Sequence, residues 1–240
     1  MDGVLADMES ELVRQAEAVF GEAMTAKVTE SPSSDPPLAP PEDAPAGAPE
    51  EPAAEATPPL KRLHLTSRQQ RRLWGHVESI ENFWETLEEI EPGAVSKLAT
   101  MAADRRWEII FLTKRPRTVG STSQVQSQRW LESKGFALPS VFVVQGSRGR
   151  IAASLDLDFV IDDRPENCLD VVVDSKARAI LVWREDEKLL PGAARRLGIG
   201  VVKSVSECLD ILHEIDGSTK QTGVVQRVMR LLGLKEPASV

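Results

Sequence analysis

Cysteine is nearly absent from this chain. Cys168 and Cys208 are the only two in 240 residues, and they fall in separate predicted elements, so they form no metal-ligand pair and are expected to stay reduced. No apolar run is long enough to cross a bilayer, which argues against membrane partners. Met1 to Ser10 carries Asp2, Asp7 and Glu9 but no basic region and no long apolar stretch, so no secretory signal is legible and the cytoplasm is the expected compartment. An excess of positive charge is also missing. The formal net charge of -8 argues against an extended nucleic-acid-binding surface. What remains is a composition of 41% hydrophobic and 28% charged residues, ordinary for a soluble globular protein, and a length of 240 residues that leaves open one α/β domain or a domain with a small appended module.

The charge is unevenly placed. Between Ser31 and Leu60 lie six acids (Asp35, Glu42, Asp43, Glu50, Glu51, Glu55), no Lys or Arg, and ten of the 16 prolines. Such a stretch loses backbone donors and has too little apolar surface to offset ordering entropy, so a disordered, partly polyproline insertion is expected. Leu5 to Val28 reads as a helix before it, and His76 to Ile90 as an amphipathic helix after it, with Val77, Ile80, Phe83, Trp84 and Leu87 on one face.

From Ala94 the pattern alternates between helices and short apolar strands, which signals a parallel sheet covered on both faces. The predicted helices are Ala94 to Arg105, Ser123 to Lys134 (ending at Gly135), Arg150 to Leu155, Glu166 to Val173, Ser204 to Glu214 and Gly223 to Leu232. The predicted strands are Trp107 to Leu112, Val141 to Val144, Phe159 to Ile161, Ala179 to Val182 and an edge strand at Gly200 to Val202.

Open parallel sheets bind ligands at the carboxyl ends of their strands. After Trp107 to Leu112 comes Thr113-Lys114-Arg115-Pro116, a hydroxyl and two cations suited to phosphate oxygens. A threonine in this position also serves as a local turn hydroxyl, so the run alone decides nothing. After Phe159 to Ile161 comes Asp162-Asp163-Arg164-Pro165-Glu166-Asn167, whose adjacent carboxylates repel unless a hard cation such as Mg²⁺ lies between them. Asp163 could equally cap the next helix. Gln145-Gly146-Ser147-Arg148-Gly149 offers a further cation on a flexible loop, with a solvated arginine as the alternative.

The start of the chain ties these segments together. Met1-Asp2-Gly3-Val4-Leu5-Ala6-Asp7 resembles the tail of D-x-D-G-V-L-A-D, the first motif of the haloacid dehalogenase superfamily, and the three later segments match its other motifs in order. The strand ending in Thr-x-Arg-Pro and the acidic pair followed by Arg-Pro-Glu-Asn are similar to those of bacterial relatives of the 5'(3')-deoxyribonucleotidases, within the 5'-nucleotidase-like group. The resemblance covers residues 1–8 and about 76–185.

That resemblance implies a three-layer, Rossmann-like α/β fold with a small helical cap insertion. It places the first motif in residues 1–8, a cap region in 9–91 that holds the insertion at 31–60, the core in 92–216 and a tail in 217–240. It implies a Mg²⁺-dependent phosphomonoesterase acting on a nucleotide or another small phosphate ester. Asp2 would be the general acid/base and ligate Mg²⁺ through its backbone carbonyl. Thr113 would hold the transferring phosphoryl group, with Lys114 and Arg115 as further substrate contacts. Arg148 stands where the family usually has Lys. Asp162 and Asp163 would be the remaining metal ligands. In D-x-D the nucleophile lies two residues before the acid/base, so its position is expected immediately before Met1, and a chain beginning at Met1 is expected to be inactive. The alternatives are a non-catalytic relative that binds phosphorylated ligands and a protein-interaction module.

Overall fold

Thirteen elements, alternating as the pattern from Ala94 predicts, run through the computed structural model, which describes residues 1–21 and 65–217. In chain order these are α1 (Met8–Phe20), α2 (Ser67–Ser79), α3 (Ala94–Arg105), β1 (Ile110–Thr113), α4 (Ser123–Ser133), β2 (Ser140–Val143), α5 (Arg148–Ser154), β3 (Phe159–Asp162), α6 (Pro165–Asp174), β4 (Arg178–Val182), α7 (Gly192–Arg196), β5 (Gly200–Val202) and α8 (Val205–Gly217). Two short 3-10 turns, Phe83–Glu85 and Glu187–Leu189, complete the list. The insertion expected at 31–60 and the helix expected at 223–232 lie outside the described residues. No described helix is long and apolar enough to cross a membrane.

The chain is α/β with parallel strands, as expected, but the strands fall in two small sheets, β1-β2 and β3-β4-β5. β1 pairs β2 from Ile110 opposite Ser140 to Thr113 opposite Val143. β3 pairs β4 from Phe159 opposite Arg178 to Asp162 opposite Leu181, and β5 joins the other edge of β4. As the central strand of its sheet, β4 buries Ala179, Ile180, Leu181 and Val182 in succession, and so reads as a continuous apolar run. Its side chains share a core with Val160, Cys168, Val171 and Ile199. Both cysteines are free and buried, and burial pushes their thiol pKa values upward.

Local chemistry sets the helix ends that position the site. Thr122 caps α4 by accepting the Val125 amide at 3.3 Å. α6 opens with Pro165, whose missing N–H is no loss in a first turn. At α8, Ser204 Oγ accepts the Glu207 amide at 3.0 Å, and Glu207 reaches back to the Lys203 amide at 2.7 Å, one residue beyond the usual capping box. A side chain on Gly149 would collide with the Asp170 carbonyl, so glycine lets α5 lie directly against α6.

Two helices differ from expectation. The helix expected over Leu5 to Val28 ends at Phe20 and starts at Met8, because Gly3 to Leu5 form a turn with Gly3 at φ 74° and Ala6 bridges Glu89. In place of the helix expected over His76 to Ile90, the helix runs from Ser67 to Ser79, so only His76 to Ser79 are shared. Asn82 adopts a left-handed φ of 51° and its amide donates to the Val119 carbonyl at 2.8 Å, which redirects the chain while Phe83, Trp84 and Leu87 still reach the core. Periodicity cannot see such a break, since a 3-10 turn presents the same apolar residues.

The chain divides into two units, residues 1–8 with 80 onward, and residues 9–79. Inside the second, α1 and α2 are joined by a hydrogen bond between His76 Nε2 and Gln15 Oε1 at 3.0 Å and by the Arg72 guanidinium over the Phe20 ring.

Candidate functional site

The carboxyl ends of β1 and β3 bring the expected residues together. Thr113 ends β1, and its hydroxyl donates to Asp2 Oδ2 at 2.7 Å. Arg115 donates from Nε to Asp2 Oδ1 at 2.8 Å, and its Nη2 lies 2.6 Å from the same oxygen. Asp162 ends β3, and its Oδ1 accepts both the Arg164 amide at 2.9 Å and Asn167 Nδ2 at 2.8 Å. Its other oxygen, Oδ2, lies 3.8 Å from Arg148 Nε. Asp163 sits against Gly3 so closely that a Cβ there would overlap its carboxylate. Glycine is thus required at position 3 both by its backbone angle and by this approach.

Arg115 is 3% exposed, and its charge is used inside the protein. Beyond Asp2 it donates from Nη1 to Ser127 Oγ at 2.9 Å, and its guanidinium lies 5.1 Å from the Trp84 ring centre and 5.9 Å from that of Trp130. The two indoles are in turn fixed by donating to the Pro116 carbonyl at 2.9 Å and the Leu87 carbonyl at 2.6 Å. Lys114, next to it, is exposed. Sequence reasoning had no signal for this aromatic clamp, because Trp84, Trp130 and Ser127 read as core and helix residues and meet Arg115 only after folding.

Arg148, expected on a flexible loop, is instead the first residue of α5. It is 6% exposed, and its Nε and Nη1 are buried without a hydrogen-bond partner among the described residues. Burial lowers its pKa, while Asp162 and then Asp2 pull the other way. At Asp2, burial alone would raise the pKa, but the Arg115 charge first, then the Met1 amino group and the Arg115 and Thr113 hydrogen bonds, outweigh it and hold the carboxyl below its ordinary value.

The Asp163 carboxyl is pushed up to about 6, by burial first and by the Asp162 charge second. Its folded value exceeds the ordinary 3.8, so the native state holds this proton more tightly and metal-free stability falls as pH rises through the interval from 3.8 to about 6. Asp163→Asn is therefore expected to stabilise the metal-free protein at about pH 8, by on the order of 1 kcal/mol, and to change it little near pH 4. Thermal melts in chelator at the two pH values check this, and equal melts at the higher pH would contradict it.

These features define an α/β protein in which three carboxylates and a buried guanidinium, ion-paired to Asp162 but with two nitrogens lacking a hydrogen bond among the described residues, gather near the ends of β1 and β3. No family model matches the chain, and neither a curated protein nor a solved structure does.

Proposed function

We propose that this chain is the core of a Mg²⁺-dependent phosphomonoesterase of the haloacid dehalogenase type, acting on a nucleotide or another small phosphate ester. The observation that carries the reading is Arg148. A buried guanidinium with two unsatisfied nitrogens is costly, and a phosphate oxygen is a strong, geometrically matched acceptor for it. Threonine and lysine at the end of β1 lie on the same side of the reading, as further contacts to phosphate.

The residues present also fit a hard cation. Among the described residues no three or more His, Cys, Asp or Glu form a cage for a metal, and Mg²⁺ needs none, because it keeps several waters and takes one or two carboxylates plus substrate oxygens. Asp162, Asp163 and the Asp2 backbone carbonyl would hold it. When bound, it would offset the repulsion of the acidic pair and the charge of the phosphate.

The chain's own residues then divide the work. Arg148 and Thr113 bind phosphoryl oxygens, the latter by turning its hydroxyl away from Asp2. Asp2 gives a proton to the leaving alkoxide and later takes one from the water that hydrolyses the aspartyl-phosphate. It is ionised at rest, and an arriving phosphate charge beside it favours the protonated form that the first step uses. The nucleophile of this class is a carboxylate two residues before Asp2, a position immediately preceding Met1.

The two sheets read as parts of one three-layer, Rossmann-like sheet, with residues 9–91 as the cap region. In that reading a strand leading into Met1 runs between β1 and β3. In support, the Met1 amino group lies 3.3 Å from the Leu112 carbonyl, and Gly3 lies against Asp163. A second reading, a non-catalytic binder of phosphorylated ligands, draws on the closed Asp2–Thr113–Arg115 network, in which the hydroxyl meant for phosphate is already bonded.

A screen separates them. Phosphate release from nucleotides, sugar phosphates and a generic aryl phosphate is measured for a chain carrying Asp immediately before Met1, with and without Mg²⁺. Mg²⁺-dependent turnover of at least one substrate is expected. Tight phosphate binding with no turnover of any would favour the binding module.

A further inference from the structure

We infer that Arg184, a residue beyond β4 with no part in the chemistry above, is a positioning residue that fixes the turn carrying Asp2 and Gly3. The inference rests on the proposed metal and phosphate site. Arg184 donates from Nη1 to the Gly3 carbonyl at 2.8 Å and from Nη2 to the Val4 carbonyl at 3.1 Å, so one planar fork spans two successive carbonyls of the first motif. The same Nη2 lies 2.7 Å from Glu91 Oε1. Glu91 is itself anchored, since Oε1 accepts the Val205 amide at 2.8 Å and Oε2 the Ser206 amide at 3.0 Å in the first turn of α8.

A connected path therefore runs from the start of α8 through Glu91 and Arg184 to the two peptide carbonyls that flank Val4. Burial alone would raise the Glu91 carboxyl, but the Val205 amide and Arg184 outweigh it, so the anchor stays ionised. The turn matters because Gly3 must keep its left-handed angle for Asp163 to approach it. A lysine has a point charge and no fork, so it can serve one carbonyl at a time. The pair is partly solvated, with side-chain exposures of 29% and 21%, so its loss should cost little global stability. Its loss should instead loosen the placement of Asp2 against the acidic pair, as removal of outer supports does at metal sites generally.

The test uses the full chain with Mn²⁺ as the probe, read by its electron paramagnetic resonance signal, alongside thermal melts. Arg184→Met is expected to weaken Mn²⁺ binding by about tenfold with a nearly unchanged melt, and Arg184→Lys to fall between that variant and the wild type. Asp162→Asn is the control that removes a proposed ligand. If both Arg184 variants bind Mn²⁺ like wild type while Asp162→Asn does not, the positioning role is overturned and the site stands. If Asp162→Asn also binds like wild type, the site reading fails and the positioning role falls with it. Should Arg184→Met not fold, the lysine variant decides, and wild-type affinity in it overturns the inference.

Discussion

A chain extended upstream by about ten residues, enough for a short apolar strand ending in Asp immediately before Met1, is expected to melt roughly 10 °C higher than the chain that begins at Met1, and to release phosphate where the shorter one does not. The reason lies in the strand pairing. Among the described strands, β1 pairs only with β2, and β3 only with β4. Each therefore keeps one edge of amide and carbonyl groups outside any ladder, and both strands end at the proposed site. A parallel strand between them would pair on both sides, and several hydrogen bonds at about 1 kcal/mol each, together with apolar burial, give the expected gain. Melts and phosphate release compared side by side check both halves. Equal melting would sink the strand argument, and turnover by the shorter chain would sink the nucleophile assignment.

Asp162→Asn, made in the extended chain, is expected to weaken Mg²⁺ binding by more than about tenfold and to abolish turnover, with the fold intact. The fold should survive because Oδ1, which accepts from the Arg164 amide and Asn167, is retained as an amide oxygen. What is lost is the second oxygen, the one facing Arg148 at 3.8 Å, and with it the charge that a hard cation needs. An amide donor beside a buried guanidinium also removes the carboxylate that offsets it. Titration of Mg²⁺ with a parallel rate measurement checks this, and unchanged activity at saturating Mg²⁺ would contradict the ligand assignment.

Much of the core was legible because its signals are local. Ala179 to Val182 is an unbroken apolar run, and a central parallel strand buries both faces, so run and strand coincide to within one residue. Ser123 to Ser133 follows a threonine cap and ends before Gly135, whose φ of 98° only glycine adopts readily. The residues at strand ends were legible for the same reason, since Thr113 and Asp162 are the last residues of β1 and β3. What escaped depends on contacts distant in sequence. The turn at Gly3 to Leu5 displaces a helix start because Ala6 bridges Glu89, more than eighty residues away. Arg115 looked like a substrate contact from its place in Thr-Lys-Arg-Pro, yet its guanidinium turns inward to Asp2 and two tryptophans. Arg184 carried no signal at all, because a cation after a strand is usually solvated and only the fold places it over the Gly3 and Val4 carbonyls.

The proposed role of Arg148 as a phosphate ligand is checked by titrating inorganic phosphate into the Mg²⁺-loaded chain by calorimetry, for the wild type and for Arg148→Met, with no dependence on turnover. The expected result is saturable binding by the wild type and its loss in the variant, with both proteins folded. Phosphate binding of equal strength in Arg148→Met, or none in a folded wild type, would contradict it.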